Sequence, residues 1–122
     1  MEGKKAANMK KPAPKRLRKV KTRGPLTVSQ AKAALKGVSG WQLSSNSKVI
    51  YRDLVVKDFM TAIHLINQIA RIAEDKNHHP DIHLTAYRIL HIELTTHEVG
   101  GLSEVDFIEA GKINGIPVEL KP

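Results

Sequence analysis

Cysteine is absent from this 122-residue chain. That excludes a disulfide scaffold, a thiolate metal site and a cysteine nucleophile, and it is neutral about compartment. No segment approaches the ~20 apolar residues that a membrane-spanning helix needs. The N-terminus lacks the apolar core of a signal peptide, so a soluble intracellular protein is expected. Acids are nearly missing from one stretch. Residues 1–23 hold ten Lys or Arg and a single acid, Glu2. The rest of the chain holds ten Lys or Arg against eleven Asp or Glu. The net charge of +8 therefore belongs to a tail, and the domain behind it is nearly neutral. A basic domain would suggest a nucleic-acid groove; a basic tail says less.

Large apolar residues are scarce in the tail too. Met9, Leu17 and Val20 cannot bury enough surface to order residues 1–25, so a disordered basic tail is expected there. Its clustered Lys and Arg also suit a nuclear-import signal or a weak nucleic-acid contact. It has no serine and no amphipathic period, which argues against a transit peptide. Residues 26–115 form the expected domain, and 116–122 a C-terminal extension with no assigned place. The overall apolar content of 41% is enough for one core.

Within the domain, Thr27 and Gln30 fit a capping box, and a helix follows on Ala31, Ala34, Leu35 and Val38, ended by Gly37 or Gly40. Trp41–Leu43 and Val49–Val56 read as strands joined by a polar turn, Ser44 to Ser47. Asp58 caps a helix over about 58–76. Its stripe of Phe59, Ala62, Ile63, Ile66, Ile69, Ala70 and Ala73, widened by Leu65 and Ile72, exceeds what one sheet face needs. That suggests a subunit interface as well as a core. Asn77 suits the left-handed position after the helix, and Pro80 stops it resuming. Asp81–Leu84 reads as a short strand or bridge. Residues 87–96 read as a half-buried strand, with Leu90, Ile92 and Leu94 alternating with His91, Glu93 and Thr95. Ser103 opens a third helix carrying Phe107, Ile108 and Ile113, and Asn114-Gly115 is a turn. The order α-β-β-α-β-β-α predicts an α+β fold with an antiparallel sheet and helices on one face.

The chemistry concentrates in residues 74–106. Glu74, His78, His79, His97 and Asp106 supply three imidazoles and two carboxylates. Imidazole both gives and takes protons near neutral pH. His78 and His79 follow a helix C-terminus, where unpaired carbonyls favour a protonated ring. His97 ends a strand, so two loops could share one pocket, with Asp106 reaching its rim. Such a set suits elimination of an alcohol: an acid for the departing hydroxyl, a base for the other proton, and carboxylates to orient the rings. Asp106 also fits a simple capping role. His64, His83 and His91 carry no motif and read as structural. Zinc is disfavoured, because adjacent His78 and His79 cannot easily aim both rings at one metal and no His-x-x-x-His pair is present.

Glu74-x-x-x-His78-His79-Pro80, six residues to Tyr87, nine more to His97, then Gly100-Gly101-Leu102-Ser103 and Asp106, resembles the signature of the pterin-4a-carbinolamine dehydratases. Leu26-Thr27, Gly40-Trp41 and Lys57-Asp58-Phe59 extend the likeness over about residues 26–113. The resemblance implies a four-stranded antiparallel sheet with three helices on one face. It implies dehydration of 4a-hydroxytetrahydropterin to the quinonoid dihydropterin, in tetrahydrobiopterin recycling, without a metal or organic cofactor. His78 and His97 would be the acid/base pair. His79, with Pro80 and Tyr87, would bind the pterin, and Glu74 and Asp106 would support the histidines. The family also implies a homodimer or homotetramer through the helix at 58–76 and a protein partner in the nucleus, since animal members bind a homeodomain transcription factor; a cytoplasmic location, and a nuclear one through the tail, is expected. Ile82-His83 stands where animal members carry an aromatic pair, so this chain lies nearer the plant-like and microbial branch.

Overall fold

The computed structural model describes residues 24–122; the expectations for the tail lie largely outside them. Helix α1 spans Val28–Leu35, β1 Gln42–Leu43, β2 Ile50–Val55, α2 Phe59–Lys76, β3 Asp81–Thr85, β4 Ile89–Leu94 and α3 Glu104–Asn114. A 3-10 turn, His97–Val99, precedes α3. The strands pair antiparallel in the order β1-β2-β4-β3. This is the expected α+β architecture.

Alternation decides which face is covered. Ile50 and Leu54 on β2 and Leu90, Ile92 and Leu94 on β4 are buried. Between them Tyr51, Asp53, His91 and Glu93 are half-buried or exposed. The helices close over the first set with Ala31, Ala62, Leu65, Ile69, Phe107, Ala110 and Ile113. Each fully buried Ile or Leu stabilises the fold by about 1.5–3 kcal/mol relative to exposure.

The caps are largely as read. Thr27 Oγ1 accepts from Gln30 N at 3.1 Å, and Gln30 Oε1 accepts from Thr27 N at 2.8 Å. Asp58 Oδ1 accepts from Thr61 N at 2.8 Å. Asn77 is left-handed, with φ 51°. Several boundaries differ by a residue or two, and three of them are informative. Helix α1 ends at Leu35, before either glycine. Trp41 lies outside β1; it is buried, and its Nε1 donates to Asn114 Oδ1 at 2.9 Å. Tyr87 and Arg88 are not in a strand. Thr85 pairs with Ile89, and the three residues between them form the turn, with φ 46° at Ala86 and 57° at Tyr87. Tyrosine's strand preference yields here to the register that keeps Leu90 and Ile92 inward. Residues 116–122 pack back on the domain. Ile116 and Val118 touch the core, and Leu120 bridges to Val56 beside the end of β2. No helix among the described residues is long and apolar enough to cross a membrane.

Candidate active site

His78 turns inward because Asn77 reverses the chain. The left-handed cap lets His78 N donate back to Ala73 O at 3.1 Å, which closes α2 and aims the next side chain at α3. There His78 Nδ1 lies 2.9 Å from Glu109 Oε1. Its Nε2 lies 3.1 Å from both Thr96 Oγ1 and Asp106 Oδ1. The His78 side chain is 11% exposed, and Asp106 and Glu109 are fully buried.

Further hydrogen bonds hold this group. Thr96 Oγ1 donates to Asp106 Oδ2 at 2.7 Å and lies 2.8 Å from Ser103 Oγ. Asp106 Oδ2 also accepts from Ser103 N at 2.9 Å, so Asp106 caps α3 and faces His78 at once. Among the described residues, Asp106 Oδ1 and Glu109 Oε2 have no aligned hydrogen-bond partner. Their compensation comes from a charged imidazole. Hydrogen bonding to Asp106 first, and to Glu109 second, raises His78 from 6.5 to about 10, against the opposing effect of burial.

The contact between His78 and Thr96 joins two loops. One continues from His78 into His79 and Pro80, and the other continues from Thr96 into His97. Consecutive α-carbons are about 3.8 Å apart, so His79 and His97 each lie one residue from the same buried contact. Thr96 N donates to Gly101 O at 2.8 Å, and Gly100, at φ 74°, completes the short loop that carries His97 outward. The His97 side chain is exposed. His79 is 56% exposed, and its Nε2 lies 2.6 Å from Glu74 Oε2. Pro80 is half-buried. Tyr87, 56% exposed, stands at the β3–β4 turn with the Arg88 guanidinium 5.3 Å from its ring centre.

Of the residues singled out from the sequence, the structure thus brings His78 to Asp106 and His79 to Glu74. Two partners of His78 were missed, Thr96 and Glu109. Glu109 had a readable signal: it stands three residues after Asp106, on the helical face of Phe107, Ala110 and Ile113. His83 and His91 lie on the open sheet face, where His91 bridges Asp53 and Glu93. Those two carboxylates, Asp53 first, raise its pKa. Among the described residues, no group of three or more His, Asp or Glu is arranged to hold a metal ion.

Fold and site together define an α+β domain of three helices and a four-stranded antiparallel sheet, with a buried histidine–carboxylate cluster between the end of α2 and α3. The model of the family described as pterin 4 alpha carbinolamine dehydratase matches residues 24–116. The chain belongs to that family. It is 40% identical over 96 residues to pterin-4-alpha-carbinolamine dehydratase 2, mitochondrial, of Arabidopsis thaliana, covering 77% of this chain and 51% of that protein. The chain thus spans about half the length of the plant relative. A putative pterin-4-alpha-carbinolamine dehydratase of Halorhodospira halophila is 35% identical over 92 residues, covering 75% of this chain and 84% of that one. The crystal structure of a transcriptional coactivator/pterin dehydratase from Brucella melitensis superposes with a TM-score of 0.70 at 37% identity, covering 74% of this chain and 95% of that one.

Proposed function

We propose that this chain removes water from a 4a-hydroxytetrahydropterin to give the quinonoid dihydropterin, by histidine acid/base catalysis without a metal or organic cofactor. The C4a–O bond breaks as an imidazolium protonates the departing hydroxyl, which leaves as water. A neutral imidazole takes the proton of the adjacent ring nitrogen, and the C4a=N double bond forms. Proton exchange with solvent resets both rings. The observation that carries this reading is the His78–Thr96 contact, which ties the loop of His79 to the loop of His97. Glu74 orients His79 and Pro80 borders the pterin site, whereas Tyr87, expected there, stands in the turn at the opposite end of β3. Acid/base groups of this kind typically contribute about 10²–10⁴ each in rate. The test is dehydration of freshly generated 4a-hydroxytetrahydropterin by purified protein, followed by absorbance against the uncatalysed rate. A rate no higher than that background would end the proposal.

Exposed Phe59 and Met60 on α2 support a homo-oligomer built through that helix. The clustered Lys and Arg of the tail support nuclear import beside a cytoplasmic location. A second reading has one specific support: the Brucella protein bears the name of a transcriptional coactivator as well as of a pterin dehydratase. On that reading the chain binds a protein partner. Its test is recovery of a folded, catalytically silent protein that still reaches the nucleus.

A further inference from the structure

We propose that the open face of the sheet is a docking surface for the chain's own basic segment, residues 19–23, held there by Asp53, Asp81 and Glu93. Such docking is independent of the dehydratase reading.

The three helices pack on one side of the sheet, and no helix among the described residues covers the other. That open side carries two cross-strand rows. Asp53, His91 and His83 lie side by side on β2, β4 and β3, and Tyr51, Glu93 and Asp81 form the next row along. The Asp53 side chain is 57% exposed and that of Glu93 37%. Asp81 is exposed too. Asp53 and Glu93 both bond the His91 ring and favour its charged form. Even then, three carboxylates face one cation. Asp81 stands directly opposite Glu93, where like charges repel and weaken a sheet. A basic side chain lying over that pair relieves the repulsion.

The tail leaves the domain at the margin of this face. Leu26 N donates to Leu102 O at 2.8 Å. Pro25 lies against Gly101, where an added Cβ would stand 3.0 Å from Pro25 Cβ. Gly101 O in turn accepts from Thr95 Oγ1 at 3.3 Å. Thr95 follows Glu93 by two residues on the same face, about 7 Å along the strand. Lys48 also borders Gly101, so like charge turns a basic tail away from the β1–β2 turn.

The segment's own pattern fits the two rows. Lys19, Lys21 and Arg23 alternate with Val20 and Thr22. β-Branched residues favour extended backbone, which would put the three bases on one side about 7 Å apart. Two residues of chain span about 7 Å, so Arg23 can reach the Glu93–Asp81 row. Lys21 then falls at the Asp53–His91 row. The short tether raises the effective concentration of the segment at the face, which offsets the weakness of each exposed ion pair. These are the same Lys and Arg that suit nuclear import or a nucleic-acid backbone, so such a partner competes with the sheet for them.

Limited trypsin digestion of the full chain, with cleavage sites resolved by mass spectrometry, tests the docking. Cleavage after Lys19 and Lys21 reports on the segment, and cleavage after Lys5 is the internal reference. At low salt, the ratio of the two rates should be about threefold lower in wild type than in Asp53→Asn/Asp81→Asn/Glu93→Gln, a gain that a few exposed ion pairs allow. In about 0.5 M salt, where screening is strong, the ratios should converge. Unchanged emission from buried Trp41 shows that the variant is folded. Equal ratios at low salt in a folded variant would overturn the proposal, as would wild-type protection that salt leaves intact. Protection that rises with protein concentration would overturn it too, by placing a second copy's tail on the face. Should the variant fail to fold, the salt dependence of the wild-type ratio decides.

Discussion

Raising the pH should break the buried contacts of His78 with Asp106 and Glu109, and the loss should be measurable as stability. The folded chain holds the His78 imidazole at about 10, through hydrogen bonds to Asp106 and then Glu109. The unfolded chain returns it to about 6.5. A group raised by folding stabilises fully below its unfolded value and loses that contribution as pH rises through its folded value. The window is therefore about pH 6.5 to 10, and the steepest slope is about 1.4 kcal/mol per pH unit. The ceiling over the window is about 5 kcal/mol. Removing one partner of a buried ion pair costs about 3–5 kcal/mol, a compatible figure. His78→Gln should therefore lose roughly that much at pH 7, and its stability should be much flatter with pH than that of wild type. Trp41, the one tryptophan, is 4% exposed and reports unfolding by fluorescence. Urea melts from pH 6 to 10, at fixed protein concentration, give the comparison. The contribution of His91, which its own carboxylates also raise, is common to both proteins and cancels. Equal slopes in wild type and His78→Gln would refute the reasoning.

Three further outcomes follow from the geometry. Ala86 sits at φ 46°, a left-handed position that costs a side chain about 1–2 kcal/mol, so Ala86→Gly should raise the thermal midpoint by several degrees; no rise would mean that the turn carries no strain. Asn114 Oδ1 accepts from Trp41 and Arg52, and its Nδ2 donates to Ser39 O at 2.9 Å. Asn114→Ala should therefore cost about 2–3 kcal/mol in urea melts, with a changed Trp41 emission. Removing residues 1–23 should leave the dehydration rate unchanged, because every candidate site residue lies between 74 and 109; a large loss of kcat/KM would give the tail a part in catalysis.

Local chemistry made much of the fold legible. Period-two alternation over Leu90, Ile92 and Leu94 marked the covered face of the sheet. Thr27, Asp58 and Asn77 marked helix ends because each supplies a specific backbone partner or dihedral. Tyr87 was misplaced because a tyrosine beside an alternating run reads as strand, whereas a register set by distant pairing put it in the turn. The site was harder to read. Spacing could place His78 and His97 on two loops but could not say which rings point inward. Asn77 decides that, by turning His78 under α2 and leaving His79 outside. Glu109 escaped notice because an acid on a helix is usually solvated, although its place on the face of Asp106, Ala110 and Ile113 marked it as inward, as the packing of α3 against His78 shows.

The contact of His78 with Thr96, Asp106 and Glu109 also sets how this region opens. The carboxylates can reach water only if the end of α2, the close of β4 and the start of α3 separate together. These three segments, far apart in sequence, should behave as one cooperative unit in hydrogen exchange. The backbone N–H groups of His78, Thr96 and Ser103 should then share a single opening free energy well above that of ordinary loop ends. The loops that carry the exposed histidines are thereby anchored at their bases, and their freedom of movement is confined to the few residues beyond the anchor.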